Sequence, residues 1–186
     1  GNAPDFVLCS SGYYAPYVEA GSFQDVSDFY ELPEVNADDF DKNVVDLLYY
    51  DDLCVGVPMQ MVSHYFYWDK DLYEAAGLDP ESPPETFEEL VENAKLLTDK
   101  SKNQYGFCVP VNNNVTAQYT MYAYGGGYVN EDETEAVFNS EENVKAFETL
   151  KTLYECSPKD SDDNTYISGQ LAQFINGPWI LSLIHI

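Results

Sequence analysis

Residues 56–90 constrain the possible fold more tightly than any other stretch of this chain. An apolar strand ends at Pro58, and an aromatic strand, YFYW, follows at residues 65–68. Asp69 is suitably placed to cap a short helix that Gly77 would end. Two extended segments in succession, followed directly by a helix, predict a chain that crosses from one lobe into another.

The same stretch continues through a proline-rich turn into a second helix. Thr86 and Glu89 have the spacing of a capping box, and Pro83 and Pro84 favour an extended approach to it. Apolar side chains then recur at helical spacing, which predicts a helix with one buried stripe formed by Phe87, Leu90, Val91, Ala94 and Leu97.

Strand and helix patterns alternate along the rest of the chain. Buried or short strands are predicted at residues 5–10, 54–59, 105–111, 136–139 and 173–176. Helices are predicted at residues 14–20, after Asn36, at 70–76, at 116–124 and at 140–155, the last with Val144, Phe147, Leu150 and Leu153 facing inward. This alternation predicts an α/β fold with largely parallel sheets.

The charge of the chain excludes one class of partner. There are 33 acidic and 8 basic residues, all of the basic ones are lysine, and the net charge is -25. Arginine is the preferred partner of phosphates and base edges, so we expect no nucleic-acid partner and disfavour anionic ligands. The 16 tyrosines combine a flat apolar face with a polar tip, which slightly favours carbohydrate binding.

No motif for a metal, a cofactor or catalysis is present. Cys9, Cys54, Cys108 and Cys156 form no CxxC pair, and residues 158–164 lack the spacing of a calcium loop. Neither a dinucleotide nor a phosphate-loop motif occurs, and no GxSxG elbow exists to partner His64. With 33 carboxylates, a chance pair at glycosidase separation carries no weight. We therefore predict no catalytic residue, no cofactor and no metal.

The two ends of the chain look unlike natural termini. Neither a signal peptide nor a membrane-spanning run is present, and the chain opens directly on an apolar run without a starting methionine. Residues 181–186, LSLIHI, resemble the peptide encoded by a transposon-end sequencing adapter. We expect these six residues to be a sequencing scar, and the signal segment to be missing from a fragment.

Four separated motifs together carry a family resemblance. YWDKDLYEAAGLD, SPPETFEEL and YISGQLAQFINGPW, read with GNAPDFVL at the start, resemble the family 1 extracellular solute-binding proteins of ABC importers, the maltose-binding-protein-like group, over residues 1–179. The resemblance implies an incomplete two-lobed periplasmic-binding-protein fold of class II. Residues 1–60 would belong to the N-terminal lobe and residues 61–180 to the C-terminal lobe.

The resemblance also implies a ligand site, position by position. Ser11 and Tyr13 lie in a strand-end loop, and Gln60 and Ser63 lie in the crossing. Asn114 and Thr116 lie in a loop of the second lobe, and Trp179 is the sugar-stacking tryptophan. Several positions depart from the family pattern. Cys9 replaces a stacking tryptophan, Met61 and Val62 make one wall more apolar, and His64 replaces a frequent proline.

The function that the resemblance implies is transport. The protein would be a monomeric extracellular component of an ABC importer, located in the periplasm or on the cell surface as a lipoprotein. It would capture a sugar or oligosaccharide by hinge closure between two lobes and deliver it to a membrane permease. Two alternatives remain open, an extracellular glycoside hydrolase, which would turn over oligosaccharide, and a binding protein that serves a sensor.

Overall fold

The computed structural model describes residues 4–110, 115–160 and 163–184, with the side chains of residues 11, 163, 164, 183 and 184 left undescribed. The chain divides into two compact units, Gly1–Val62 and Ser63–Ile186. No helix in the described ranges is long and apolar enough to cross a membrane.

Unit 1 is built from short elements. Its helices are α1 (Ala15–Glu19) and α2 (Lys42–Asp46), with single 3-10 turns at Ser11–Tyr13, Ser27–Glu31 and Ala37–Asp39. A two-residue antiparallel hairpin pairs β1 (Tyr49–Tyr50) with β2 (Leu53–Cys54). The Asp41 carboxylate begins α2 by accepting a 2.8 Å hydrogen bond from the backbone N–H of Asn43.

The predicted buried strand at residues 5–10 is wrong. These residues form no named strand, and the side chains of Phe6 and Leu8 are 95% and 81% exposed. A parallel strand needs hydrogen-bonding neighbours and covering layers on both faces, and the described residues supply neither to this segment. The predicted strand at 54–59 is likewise reduced to β2, which ends at Cys54.

Unit 2 contains the longer sheet of the described chain. Strand β3 (Tyr65–Trp68) pairs antiparallel with β4 (Gln173–Asn176), so that Tyr65 lies opposite Asn176 and Trp68 opposite Gln173. Both strands are confirmed, but the prediction of largely parallel sheets is wrong. Within the described ranges the parallel pairing is a single bridge between Tyr105 and Leu171.

The predicted strand at 105–111 fails for an identifiable reason. Beyond Tyr105, its backbone N–H groups are used by the end of a helix instead of by a neighbouring strand. Phe107 donates to the carbonyl of Cys156 at 3.4 Å, and Val109 donates to the hydroxyl of Ser157 at 2.9 Å. Over its described residues, 105–110, the segment therefore lies against the C-terminal end of the helix at Glu141–Glu155 and forms no strand ladder.

The first four helices of unit 2 match the sequence patterns closely, whereas the last two were not predicted. They are α3 (Lys70–Ala75), α4 (Phe87–Leu97), α5 (Val115–Ala123), α6 (Glu141–Glu155), α7 (Asp163–Ile167) and α8 (Ile180–Ile184). Asp69 accepts from the N–H of Leu72 at 3.0 Å, and Thr86 accepts from the N–H of Glu89 at 3.2 Å, so both predicted caps are confirmed.

The core of unit 2 lies between α4, α6 and the extended segment after Tyr105. Leu90, Ala94, Phe107, Leu153 and Cys156 pack together there. Gly106 allows the closest approach, because a Cβ at this position would lie 1.8 Å from the carbonyl oxygen of Ala94.

Helix α6 is rotated relative to the prediction. Val144 and Phe147 are 44% and 38% exposed, so their predicted inward orientation is wrong, whereas Leu150 and Leu153 are buried as predicted. Asn143 occupies the inner face with them. Its side-chain amide donates to the carbonyls of Gly127, Val137 and Phe138 at 2.7, 3.1 and 3.1 Å. These bonds hold α6 in an orientation in which Asn143, and not the next residue Val144, faces the core.

Candidate functional site

The pairing of β3 with β4 determines where the candidate site lies. Because Tyr65 is opposite Asn176, the residues just before β3 and just after β4 leave the sheet at the same end. Ser63 and His64 therefore lie beside the turn that begins at Gly177 and carries Trp179. This end of the sheet combines a hydroxyl, an imidazole and an indole within unit 2.

Trp179 is the most prominent side chain of this site. Its indole is 50% exposed, and the ring of His64 meets it edge to face, with centroids 5.8 Å apart and planes at 89°. This arrangement leaves part of the indole in contact with solvent while one neighbouring ring limits its movement. A half-exposed, laterally supported aromatic ring can act as a stacking surface for a flat apolar ligand face.

Gly177 lets the indole lie directly against the backbone. A Cβ on Gly177 would lie 2.1 Å from two ring atoms of Trp179, so any larger residue would displace the ring. The turn itself is held by hydrogen bonds. The Asn176 Oδ1 accepts from the Gly177 N–H at 2.8 Å, and the Tyr67 hydroxyl donates to the Gly177 carbonyl at 3.4 Å.

A cluster of packed aromatic rings supports the turn that carries Trp179. Tyr67 stacks on Phe174 with centroids 5.0 Å apart and planes at 16°, and Tyr166 contacts the same Phe174 ring at 5.0 Å. Ile180, the residue after Trp179, is fully buried in this cluster. The indole of Trp179 therefore projects from a packed base, an arrangement that suits a preorganised ligand contact.

Thr116 does not reach solvent directly. It lies in the first turn of α5 and is 4% exposed. Its side chain hydrogen-bonds with Tyr119, and burial raises the pKa of the Tyr119 hydroxyl to about 12. Thr116 therefore orients Tyr119, whose side chain is partly buried. Asn114, the other predicted residue of this loop, lies outside the described residues.

The remaining predicted residues belong mainly to unit 1. Ser11 and Tyr13 form a 3-10 turn, the side chain of Tyr13 is 71% exposed, and Gln60 is exposed. Ser63, the first residue of unit 2, is also exposed. Of the seven predicted residues, Ser63 and Trp179 lie at the same end of the β3–β4 sheet, since Ser63 precedes Tyr65 and Trp179 follows Asn176.

His64 was not among the predicted ligand contacts. It is exposed, and its ring contacts the ring of Trp179. The signal that could have identified it is the pairing of YFYW with QFIN, since that register places His64 next to the turn containing Trp179.

The side chains at this site are an indole, an imidazole and a hydroxyl. Within residues 4–110, 115–160 and 163–184, no group of three histidine, cysteine or acidic side chains could hold a metal ion. None of the four cysteines, all of which lie within the described residues, forms a disulfide, and Cys54, Cys108 and Cys156 are buried. An indole face with adjacent hydroxyl and imidazole groups suits an uncharged ligand that has one apolar face and several hydroxyls.

Comparison with known proteins connects this geometry to a family. The family model described as bacterial extracellular solute-binding protein matches residues 1–182. The chain is 24% identical to the maltodextrin-binding protein MdxE of Bacillus subtilis, over 96% of this chain and 44% of that protein. It is 29% identical to the "Probable amino-acid ABC transporter periplasmic-binding protein y4oP" of Sinorhizobium fredii, over 66% of this chain and 28% of that protein.

A solved structure resembles the fold closely. It is an ABC transporter solute-binding protein of Thermotoga lettingae bound with α-D-tagatose, with a TM-score of 0.83 and 26% sequence identity. The match covers 94% of this chain and 48% of that one. The chain thus spans less than half the length of each of these proteins.

Proposed function

The chain belongs to the bacterial extracellular solute-binding proteins, and from this premise we propose that it is the substrate-binding component of an ABC importer that captures a sugar or oligosaccharide. The fold class is the two-lobed, α/β periplasmic-binding-protein type seen in its structural neighbours. These relatives are binding proteins and not enzymes, so the alternative of a glycoside hydrolase has no support.

The observation that carries the proposal is the half-exposed indole of Trp179, held between Gly177 and His64. A sugar ring presents C–H groups on its faces and hydroxyls around its rim. Such a ligand needs an aromatic plate and a few fixed polar partners, without a metal or a base. Ser63 and His64, which precede β3, supply polar side chains at the end of the sheet that carries the plate.

The proposed ligand site includes residues from both predicted lobes. Trp179 provides stacking, and the polar contacts are assigned to Ser11, Tyr13, Gln60, Ser63 and Asn114, with Thr116 acting through Tyr119. We assign residues 1–60 to the N-terminal lobe and 61–180 to the C-terminal lobe. Ligand binding then shifts an equilibrium between open and closed lobes, and the closed form docks on the permease.

The proposed setting follows from the same family. The protein works outside the cytoplasm, in the periplasm or on the cell surface, as a monomer that meets a membrane permease. Nucleic acid is not a partner, because a net charge of -25 without arginine repels phosphate backbones.

An amino-acid ligand is the competing proposal, since one relative carries that name. The composition argues against it. A free amino acid presents a carboxylate, which proteins commonly hold with the planar guanidinium of arginine, and this chain has none. An uncharged polyhydroxy ligand requires no such partner.

The test is titration calorimetry of the protein with a panel of monosaccharides, oligosaccharides, polyols and amino acids. We expect saturable binding of at least one sugar without product formation. Trp179→Ala should weaken this binding about tenfold or more, because the stacking face is lost. Trp179→Phe should retain most of the affinity.

The matched control is Tyr154→Ala, which removes another aromatic ring of similar exposure, 44%, from helix α6. It should leave sugar affinity unchanged. If Trp179→Ala binds the sugar as tightly as the parent protein does, the indole is not the stacking plate. Binding of amino acids alone would replace the sugar proposal.

A further inference from the structure

Unit 2 carries a second aromatic surface, separate from the Trp179 turn. Four rings from α5, the following loop and α6 form it, and we call them the aromatic strip: Tyr122, Tyr128, Phe138 and Phe147. Their side chains are 54%, 39%, 49% and 38% exposed. A contiguous exposed group of large rings is uncommon on a soluble protein and marks an interaction surface.

The rings of the aromatic strip contact one another in sequence. Tyr122 meets Tyr128 edge to face at 6.4 Å, Tyr128 lies nearly parallel to Phe138 at 6.1 Å and 14°, and Phe138 contacts Phe147 at 5.4 Å. The near-parallel central pair gives the strip two rings of similar orientation, which suits ligands with flat faces.

The backbone under the aromatic strip is fixed by hydrogen bonds. The N–H of Val137 donates to the carbonyl of Tyr128 at 3.0 Å. The buried amide of Asn143 donates to the carbonyl of Gly127, the residue before Tyr128, and to the carbonyl of Phe138 itself. Because these bonds order the loop in advance, a ligand would lose little affinity to ordering it.

The charges next to the aromatic strip restrict its ligand. The turn that joins Val129 to Ala136 exposes four carboxylates, from Glu131, Asp132, Glu133 and Glu135. These groups repel nucleic acid and anionic lipid surfaces. A second copy of the chain placed symmetrically on the strip would bring two such turns together. Uncharged ligands with many hydroxyls have no such penalty, since carboxylates accept hydrogen bonds from hydroxyl groups.

We propose that the aromatic strip is a surface platform for an uncharged polysaccharide, distinct from the ligand site at Trp179. Successive sugar units stack on the rings of Tyr128 and Phe138, and the neighbouring carboxylates accept hydrogen bonds from their hydroxyls. The main competitor is a basic amphipathic peptide, whose lysines would pair with the same carboxylates. The exposure of Tyr128 and Phe138 favours the sugar chain, because an exposed aromatic ring can cover a flat pyranose face.

The experiment is affinity gel electrophoresis in gels containing soluble starch, laminarin, galactomannan or dextran. The parent protein should be retarded by at least one of these polymers. The double variant Tyr128→Ser with Phe138→Ser should show retardation weakened about tenfold or more, as expected for loss of two stacking rings. Tyr154→Ser, on the same helix as Phe147 but outside the strip, should behave like the parent protein. Trp179→Ala should also remain retarded by the polymer.

A second measurement on the unaltered protein guards against misfolding of the double variant. Nitration by tetranitromethane, mapped by mass spectrometry, should be slowed at Tyr122 and Tyr128 by the polymer, with Tyr154 unaffected. The proposal is overturned if no polymer retards the parent protein, if Trp179→Ala alone abolishes retardation, or if protection is absent. It is equally overturned if a Lys-rich amphipathic peptide, and no polysaccharide, protects these tyrosines.

Discussion

Replacing Gly177 by alanine tests whether Trp179 works as a fixed plate. The backbone of Gly177 is not in the left-handed region, so alanine is allowed there as far as the main chain is concerned. The three nearest atoms that the new Cβ would meet all belong to the Trp179 ring, the closest at 2.1 Å. Carbon atoms in contact prefer about 3.6 Å, so the ring must retreat by about 1.5 Å.

The indole can move away, because it is half exposed. The new methyl group meets only the Trp179 ring among its three nearest atoms, so moving this ring relieves the clash. We therefore expect only a small loss of thermal stability. Sugar affinity should fall by about 1–2 kcal/mol, or about 5- to 30-fold, because a displaced ring no longer stacks on the ligand. Titration calorimetry measures the affinity, and a thermal melt measures the stability.

A double-mutant cycle makes this prediction specific. When Trp179→Ala is already present, the obstacle to the methyl group is gone, and adding Gly177→Ala should change neither affinity nor stability. Gly127→Ala is the matched control, since its Cβ would meet its nearest atom at an ordinary 3.6 Å. Unchanged affinity in Gly177→Ala, or an equal loss in the Trp179→Ala background, would refute the reasoning.

Two further predictions concern the stability of unit 2. Asn143→Ala removes the donor for three carbonyls and should lower the free energy of unfolding, measured by urea denaturation, by about 2–4 kcal/mol. Lys145→Ala, on the exposed side of α6, should have little effect. Equal stability of the two variants would contradict the role of Asn143. Burial raises the pKa of Tyr119 from 10.0 to about 12, so the unfolded state ionises first and stability is lost as the pH rises from 10 to 12. Tyr119→Phe should reduce this alkaline loss by roughly 2 kcal/mol in pH-dependent melts, and an unchanged alkaline loss would contradict it.

Local patterns were sufficient to predict much of unit 2. The caps at Asp69 and Thr86 involve a side chain and a backbone N–H three residues later, so the sequence alone contains both partners. The stripe of α4 likewise follows from spacing, and Leu90, Ala94 and Leu97 are buried as predicted. These features succeeded because the interactions that determine them lie within one or two helical turns.

Non-local contacts explain the failures. The rotation of α6 depends on hydrogen bonds from Asn143 to carbonyls as distant as Gly127, 16 residues away. The hydrophobic pattern assigns inward positions only to apolar residues. It therefore misses Asn143 and wrongly predicts that Val144 and Phe147 lie in the core. The segment at 5–10 failed differently, because a continuous apolar run indicates a buried strand only where neighbouring strands exist to pair with it.

The candidate site shows the same dependence on distance. Nothing local in the sequence relates His64 to Trp179, and the Tyr67 hydroxyl that braces the turn lies 110 residues from Gly177. The antiparallel register of β3 and β4 creates both contacts, and a slip of one residue would direct the alternate side chains to the opposite face. The arrangement of the proposed ligand site is therefore a property of strand pairing. It follows that a substitution which weakens the pairing of Tyr65 with Asn176 should impair sugar binding even when Trp179 itself is retained.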